Sequence, residues 1–398
     1  MEDWVGARAG SVPASLIRRM FDLAQGVPGA ISLAVGEPDF PTPPHIVEAG
    51  RAALRDGYTR YSPNAGYREL REAIAEKLRK VNGLEVDPVR EVFVTVGAME
   101  ALMLTLLVSV DPGAEVVITD PGYCNYTSQI VLAGAAPVFV RAEPEREYLP
   151  EVEAIEAAIT PRTRALLINS PSNPTGAVYP RRLLEAIADL AVRRDLLLIS
   201  DEAYEALVYG DARHVSPGAF PGLADRTVSI YSFSKTYAMT GWRVGYLAGP
   251  AAMLRTMATV QEQVASCVNA AAQRAAIAAL SGPQDCLDRM REAYDRRRRR
   301  LVDGLNAIPG VRCPLPGGAF YAFPDLRAVT GDTVAFCDRL LFEHGLVVSP
   351  GEAFGPGSGG FLRLSYASAD EAIETALPRI AQAVERTRAL EARAGDRP

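Results

Sequence analysis

The chemistry of this sequence centres on Lys235. The chain holds only three lysines, Lys77, Lys80 and Lys235, among 42 basic residues. Lys77 and Lys80 fall in Tyr67–Val81, where Leu70, Ile74, Leu78 and Val81 recur at helical spacing. That spacing predicts an amphipathic surface helix with solvated lysines. Lys235 follows an apolar, β-like run (Thr227–Tyr231), sits between hydroxyl residues, and has Arg243 eight positions on. Arginine stays protonated in a protein, so it neither attacks a carbonyl nor forms a Schiff base. Lysine does both once burial or a neighbouring cation lowers its pKa. A strand-end lysine can also be a leftover surface charge, so other residues must decide.

Those residues sit at the ends of other apolar runs. Gly97-Ala98-Met99-Glu100 opens a helix directly after a strand, and its first N–H groups and dipole suit a phosphate. Asn173-Pro174-Thr175-Gly176 follows Asn169 and offers an amide on a rigid loop. Asp201-Glu202-Ala203-Tyr204 places an acid and a phenol three residues apart. Arg363 stands between apolar neighbours in Phe361–Tyr366, where a buried guanidinium needs an anion and its fork suits a carboxylate. Alone, each reads equally well as a cap or a turn. The run Gly355–Gly360 matches G-x-G-x-x-G but leads into a strand rather than a helix, so it is not a dinucleotide site. His45, His214 and His344 are far apart and read as structural or exposed, and no metal site is expected.

The elements that must position these groups follow from periodicity. Strands are expected at Val92–Val96, Glu115–Thr119, Pro137–Arg141, Ala165–Asn169, Leu196–Ser200, Thr227–Tyr231 and Val244–Gly249. Helices are expected between them, at Ala98–Val110, Tyr126–Leu132, Val152–Ile159 and Arg181–Arg193. Apolar strands with helical crossovers imply an α/β fold with a mostly parallel mixed sheet sandwiched by helices. Ligands of such sheets collect at the carboxyl ends of strands, where Gly97, Asn169, Asp201 and Ser232 all fall. Upstream, helices are expected at Ser15–Gln25 and His45–Asp56, with the proline-rich loop Gly36–Pro44 between them. Downstream, Ala251–Leu280 reads as one helix, and Asp285–Ala307 as another whose run Arg296–Arg300 forms a solvated face. Short strands at Gly317–Phe323, Leu346–Ser349 and Phe361–Tyr366, with helices at Asp332–Glu343 and Ala369–Arg393, make a smaller α+β domain. The expected division is 1–45 joining the small domain, 46–284 as the large domain and 285–398 as the small C-terminal domain.

With 398 residues, 48% hydrophobic and 23% charged, the chain can bury two domain cores. A net charge of -6 argues against nucleic acid or an anionic membrane as partner. Five scattered cysteines without C-x-x-C read as reduced thiols, and there is neither a leader-like N-terminus nor a spanning apolar run. Together these predict a cytoplasmic protein.

Taken in order, Gly-Glu-Pro-Asp-Phe, Asn-Pro-Thr-Gly, Asp-Glu-x-Tyr, Ser-Phe-Ser-Lys with Gly-Trp-Arg-Val-Gly, and Arg-Leu-Ser-Tyr resemble the class I/II aminotransferases of the aspartate aminotransferase superfamily. These are pyridoxal-phosphate enzymes of fold type I, and the likeness runs from about Ser32 to Ala383. It implies that Lys235 holds pyridoxal 5'-phosphate as a Schiff base and later moves the Cα proton. It implies that Asp201 pairs with the pyridine nitrogen, and that Tyr204 and Asn173 bond the ring's phenolate oxygen. Gly97, Ala98 and Met99 would cradle the phosphate, helped by Ser232, Ser234 and Arg243. Tyr123 would stack on the ring, with Tyr126 as the alternative in the same run. Arg363 would bind the substrate carboxylate, with Gly36 and Asn173 beside it. Tyr61 would reach the phosphate of the neighbouring subunit, which implies a homodimer with shared sites.

The implied reaction is ping-pong transfer of an amino group between an L-amino acid and a 2-oxo acid. Elimination, cyclisation or oxidation run on the same kind of site, and a non-catalytic cofactor-sensing domain shares the fold; residues 1–30 are too few for a DNA-binding module beside it. For the side chain of the substrate, Arg18, Arg19 and Arg60 are candidate partners of an acid, and Phe40 and Phe354 candidate walls for an aromatic. The sequence leaves both open.

Overall fold

Runs such as Val92–Thr95 and Thr163–Asn169 lack polar alternation because both their faces are covered. The computed structural model describes residues 4–395. Its strands, in chain order, are β1 (Ile31–Ser32), β2 (Val92–Thr95), β3 (Glu115–Asp120), β4 (Ala136–Arg141), β5 (Thr163–Asn169), β6 (Leu197–Asp201), β7 (Thr227–Ser232), β8 (Gly245–Ala248), β9 (Tyr321–Ala322), β10 (Leu346–Val347), β11 (Ser349–Pro350) and β12 (Leu362–Ser365). Seven of them form one sheet in the order β2-β8-β7-β6-β5-β3-β4. Only β8 runs against its neighbours, pairing antiparallel with both β7 and β2. The α/β fold with a mostly parallel mixed sheet is therefore as expected.

Helices cover both faces. Gly97–Ser109 is apolar nearly all round and is buried against β7 and β8. On the other face, Arg181–Arg193 buries Leu184, Ile187 and Ala188 in a cluster with Leu166 and Leu198. In register, Asn169 at the end of β5 pairs with Asp201 at the end of β6, so their side chains start one strand spacing apart.

A second body is built on β11-β12-β9 and on the parallel pair β1–β10. Its core joins Met20, Leu33 and Ala34 from the N-terminal part to Phe320, Phe336, Leu364 and Ile380 from the C-terminal part. Among the described residues no helix is long and apolar enough to cross a membrane.

Three expectations need correction. The segment expected as one helix over Ala251–Leu280 is two, Ala251–Val264 and Ala270–Ser281. The break has neither Pro nor Gly; Ser266 takes a left-handed φ of 61° and the Asn269 side chain caps Ala272 N–H. Lys77 is not solvated: it pairs with Glu205 and lies 4.6 Å from the Tyr231 ring centre. Nor is Arg296–Arg300 a purely solvated face. Arg297 and Arg298 are buried on the helix Asp285–Asn306. Arg298 donates to the Pro316 carbonyl. Arg297 donates to Asp39 at 2.9 Å and Asp370 at 3.4 Å, tying the proline-rich loop to the C-terminal helix.

Truncating Arg297 leaves Asp39 and Asp370 without their shared cation, so Arg297→Ala is expected to cost about 3 kcal/mol. A lowered urea midpoint with unchanged secondary structure in the native baseline is the expected result. A midpoint equal to that of the parent removes the ion triad from the list of stabilising contacts.

Candidate active site

Asp201, at the end of β6, is 9% exposed. It accepts from the Tyr126 hydroxyl at 2.7 Å and from Ala203 N–H at 3.1 Å. No basic side chain pairs with it among the described residues. Burial pushes its carboxyl pKa up, against the pull of the Tyr126 hydrogen bond. Asn169, on the next strand, donates to the Asp201 carbonyl at 3.0 Å and accepts from Asn173 N–H at 2.8 Å. The register of β5 on β6 thus sets both the acid and the Asn173 loop.

Lys235 leaves the short helix Phe233–Thr236 that follows β7, whose N-terminus is capped by the Ser232 hydroxyl on Ser234 N–H. Its ammonium donates to the Gly36 carbonyl and lies 5.7 Å from the Phe320 ring centre. Part of its surface stays open to the cavity. Protein packs round the rest closely enough that burial lowers its pKa to about 8. Glu37 opposes that shift, and Arg363 and Arg243 add to it.

Arg363, from β12, is 3% exposed and lies between the Tyr321 and Phe354 rings, 4.5 and 4.8 Å from their centres. It donates to Ala34 O at 2.6 Å and to Asn173 Oδ1 at 3.1 Å, and its buried Nε has no partner. Arg243 takes a left-handed φ of 52° and donates to the Thr240 carbonyl at 2.9 Å. Its guanidinium crowds Gly97: a Cβ there, at φ +75°, would lie 2.6 Å from Arg243 Nη2. A Cβ on Gly245 would lie 2.8 Å from Ala98 N. Only glycine leaves this cradle at the helix N-terminus open.

These groups share one cavity of about 380 Å³, lined by Gly36, Ala98, Met99, Tyr123, Asn173, Asp201, Tyr204, Ser232, Ser234, Lys235, Arg243 and Arg363. Gly97 stands behind the lining. Tyr61 does not line this cavity and is 89% exposed.

Sequence reasoning missed several members. Tyr126, weighed only as an alternative to Tyr123, packs edge-to-face on Tyr123 with ring centres 5.4 Å apart and bonds Asp201. Lying one helical turn beyond Tyr123, it could have been read as a second member of the site. Tyr321 lies 2.8 Å from the Tyr204 hydroxyl, and a Cβ on Gly36 would meet its hydroxyl at 2.2 Å. Only tertiary contact reveals that pairing. His214, read as structural or exposed, lies outside the cavity and is structural: half-buried, it bonds Glu202 at 2.8 Å.

The donor set fits pyridoxal phosphate on two observations. Asp201 is a buried carboxylate with no cation paired to it among the described residues, and glycines hold open a helix N-terminus beside Arg243.

Comparison with known proteins agrees. The family model for aminotransferase class I and II matches residues 28–380. An aspartate aminotransferase of Pyrococcus abyssi is 43% identical over 92% of this chain and 94% of its own length. An aromatic-amino-acid aminotransferase of Thermococcus litoralis matches at the same identity and coverage. The solved structure of Thermus thermophilus aspartate aminotransferase with maleate superposes with a TM-score of 0.91, 42% identity, and coverage of 95% of this chain and 99% of that one.

Lys235 attacks a carbonyl only when neutral, and half of it is neutral near pH 8 rather than near the ordinary lysine value of 10.5. Capture of pyridoxal phosphate by the cofactor-free protein is therefore expected to speed up with pH and level off above about 8. Stopped-flow absorbance across pH 6–11, with the aldehyde's own ionisation subtracted, checks this; a rise that continues to pH ~10.5 returns the lysine to its ordinary value.

Proposed function

The chain belongs to the class I and II aminotransferases, and from that premise we propose how its own residues move an amino group between an amino acid and a 2-oxo acid. The observation that carries the assignment is that Lys235, Asp201, Arg243 and Arg363 line one cavity without a countercharge of their own. When bound, pyridoxal phosphate supplies an aldehyde for an amine and a ring that accepts the electron pair released at Cα.

Asp201 would be the countercharge of the ring nitrogen, and Tyr126 holds the acid in place. Pairing with a cation would offset the burial that raises its pKa and so keep Asp201 ionised. Arg243 and the N–H groups of Ala98 and Met99 would bind the phosphate, with Gly97 giving the close approach and Ser232 and Ser234 beside it. Tyr204 and Asn173 would hold the ring oxygen, and Tyr123 would lie against the ring. Arg363 binds the substrate carboxylate, with Gly36 lining the same wall. Lys235 is the group that takes the Cα proton and returns it. Its lowered pKa leaves it neutral in a useful fraction near pH 8, which a base requires. Two half-reactions in sequence, amino acid first and 2-oxo acid second, reuse the same groups.

We further infer two chains in the active assembly, a reading supported by Tyr61, which is exposed and lies outside the lining of its own chain's cavity. Residues 1–45 and 285–398 form the small body beside 46–284, supported by the pairing of β1 with β10. A cytoplasmic location is supported by the five cysteines, all free thiols.

The purified protein with cofactor is expected to show a near-visible band that fades on adding an amino acid and returns with a 2-oxo acid. Lys235→Ala is expected to lose turnover by about 10³-fold or more, as removal of a base and nucleophile does. Normal turnover by that variant moves the chemistry off Lys235. Arg363→Ala is expected to raise the KM of the amino acid about 100-fold, the worth of a charge-assisted pair, while cofactor binding holds. Equal loss of both places Arg363 outside the substrate site.

A further inference from the structure

The cavity also limits what the amino donor carries on its side chain. Resting on the aminotransferase reading, we propose that the preferred amino donor has a large uncharged side chain, aromatic or long aliphatic, and not the second carboxylate of aspartate or glutamate.

The argument starts from the cations. Among the described residues of the chain, three basic ones line the cavity: Lys235, Arg243 and Arg363. Each already has a task, at the aldehyde, the phosphate and the α-carboxylate. The remaining lining includes Ser15, Ile17, Met99, Leu102, Cys124 and Asn125. None of these is charged, and the polar ones are largely occupied with one another. Asn125 donates to the Met99 sulfur at 3.5 Å and accepts from the Cys124 thiol at 3.1 Å. The Tyr123 hydroxyl lies 3.7 Å from the same sulfur. A carboxylate placed there exchanges its water for thioether, alkyl carbon and amides already in use. Burial of an anion on those terms is strongly unfavourable, whereas an apolar side chain gains from it.

The basic residues named from the sequence do not fill the gap. Arg18 pairs with Asp22 at 3.0 Å with 70% of its side chain exposed, and Arg19 pairs with Asp338 at 2.7 Å. Neither they nor Arg60 line the cavity.

Space points the same way. A second cavity of about 190 Å³ lies beside the first, sharing Ser15, Tyr123, Cys124 and Asn125 with it, and is lined further by Pro13–Leu16, Phe139 and Phe354. It gives a long side chain somewhere to go. Its one charged lining residue is an acid, Glu352, whose two oxygens are engaged by Thr333. An acidic side chain reaching this far meets a like charge, and a small one leaves the space unfilled.

The test is the first half-reaction of the assembled, cofactor-loaded protein, followed by the fading of its absorbance band. Using it alone keeps the acceptor 2-oxo acid out of the comparison. The donors are phenylalanine, leucine, methionine, alanine, lysine, aspartate and glutamate. Phenylalanine or leucine is expected to exceed aspartate and glutamate by at least about 100-fold in rate per concentration. Equal or better rates with aspartate, glutamate or lysine overturn the proposal. That holds also if the charge they require comes from the second chain of the dimer. Fading with none of the seven overturns instead the aminotransferase reading on which the proposal rests. A second variant locates the subsite. Ile17→Lys adds a cation to this wall and is expected to shift the aspartate-to-phenylalanine ratio towards aspartate by about tenfold or more. An unchanged ratio with native-like cofactor binding shows that the side chain goes elsewhere and overturns the placement.

Discussion

A carboxylate at the centre of a sheet, buried and without a cation, is the condition on which the rest of the site depends. Asp201 ends the middle strand of the seven, and burial there raises its pKa. Two hydrogen bonds hold the group but do not neutralise it. The neighbouring elements are arranged around that unmet charge. Asn169 fixes its backbone from one side, Tyr126 fixes its oxygen from the helix above, and the cavity that opens beside it also admits Lys235. A cation placed beside Asp201 would meet that charge and offset the cost of its burial.

The same economy explains Lys235 and Arg363. Both cations lean on carbonyls of one stretch of chain, Gly36 and Ala34, which follows the strand that pairs with β10. A carbonyl stabilises a cation through a partial charge only, so these contacts leave both groups uncompensated. Arg363 lies within cation–π range of two rings, Tyr321 and Phe354, which restrict where its guanidinium can sit.

Much of this was legible in the sequence because it depends on period and on position relative to strand ends. Continuous apolar runs identify strands buried on both faces, and Asn169, Asp201, Ser232 and Gly97 follow from where those runs stop. Lys235 stood out because arginine replaces lysine almost everywhere else. Less was legible where a side chain's partner lies far along the chain. Lys77 and Arg297 occupy helical positions that look solvated until Glu205, Asp39 and Asp370 arrive from elsewhere. The break at Ala265–Asn269 carries no proline or glycine, and a serine accepts the left-handed turn. Tyr321 announces nothing locally, because its role is its contact with Tyr204 and with the bare backbone of Gly36.

The grip of Ala34 and Gly36 on the two cations has an evolutionary side. Main-chain oxygens belong to every residue type, so the Arg363 contact survives any exchange at position 34 that leaves the path of the chain intact. Position 36 is different, because a methyl group there meets the Tyr321 hydroxyl. Drift in this stretch is therefore uneven: the contact itself is inherited with the backbone and leaves no trace in residue identity. Selection acts instead on the one neighbour that has to remain small.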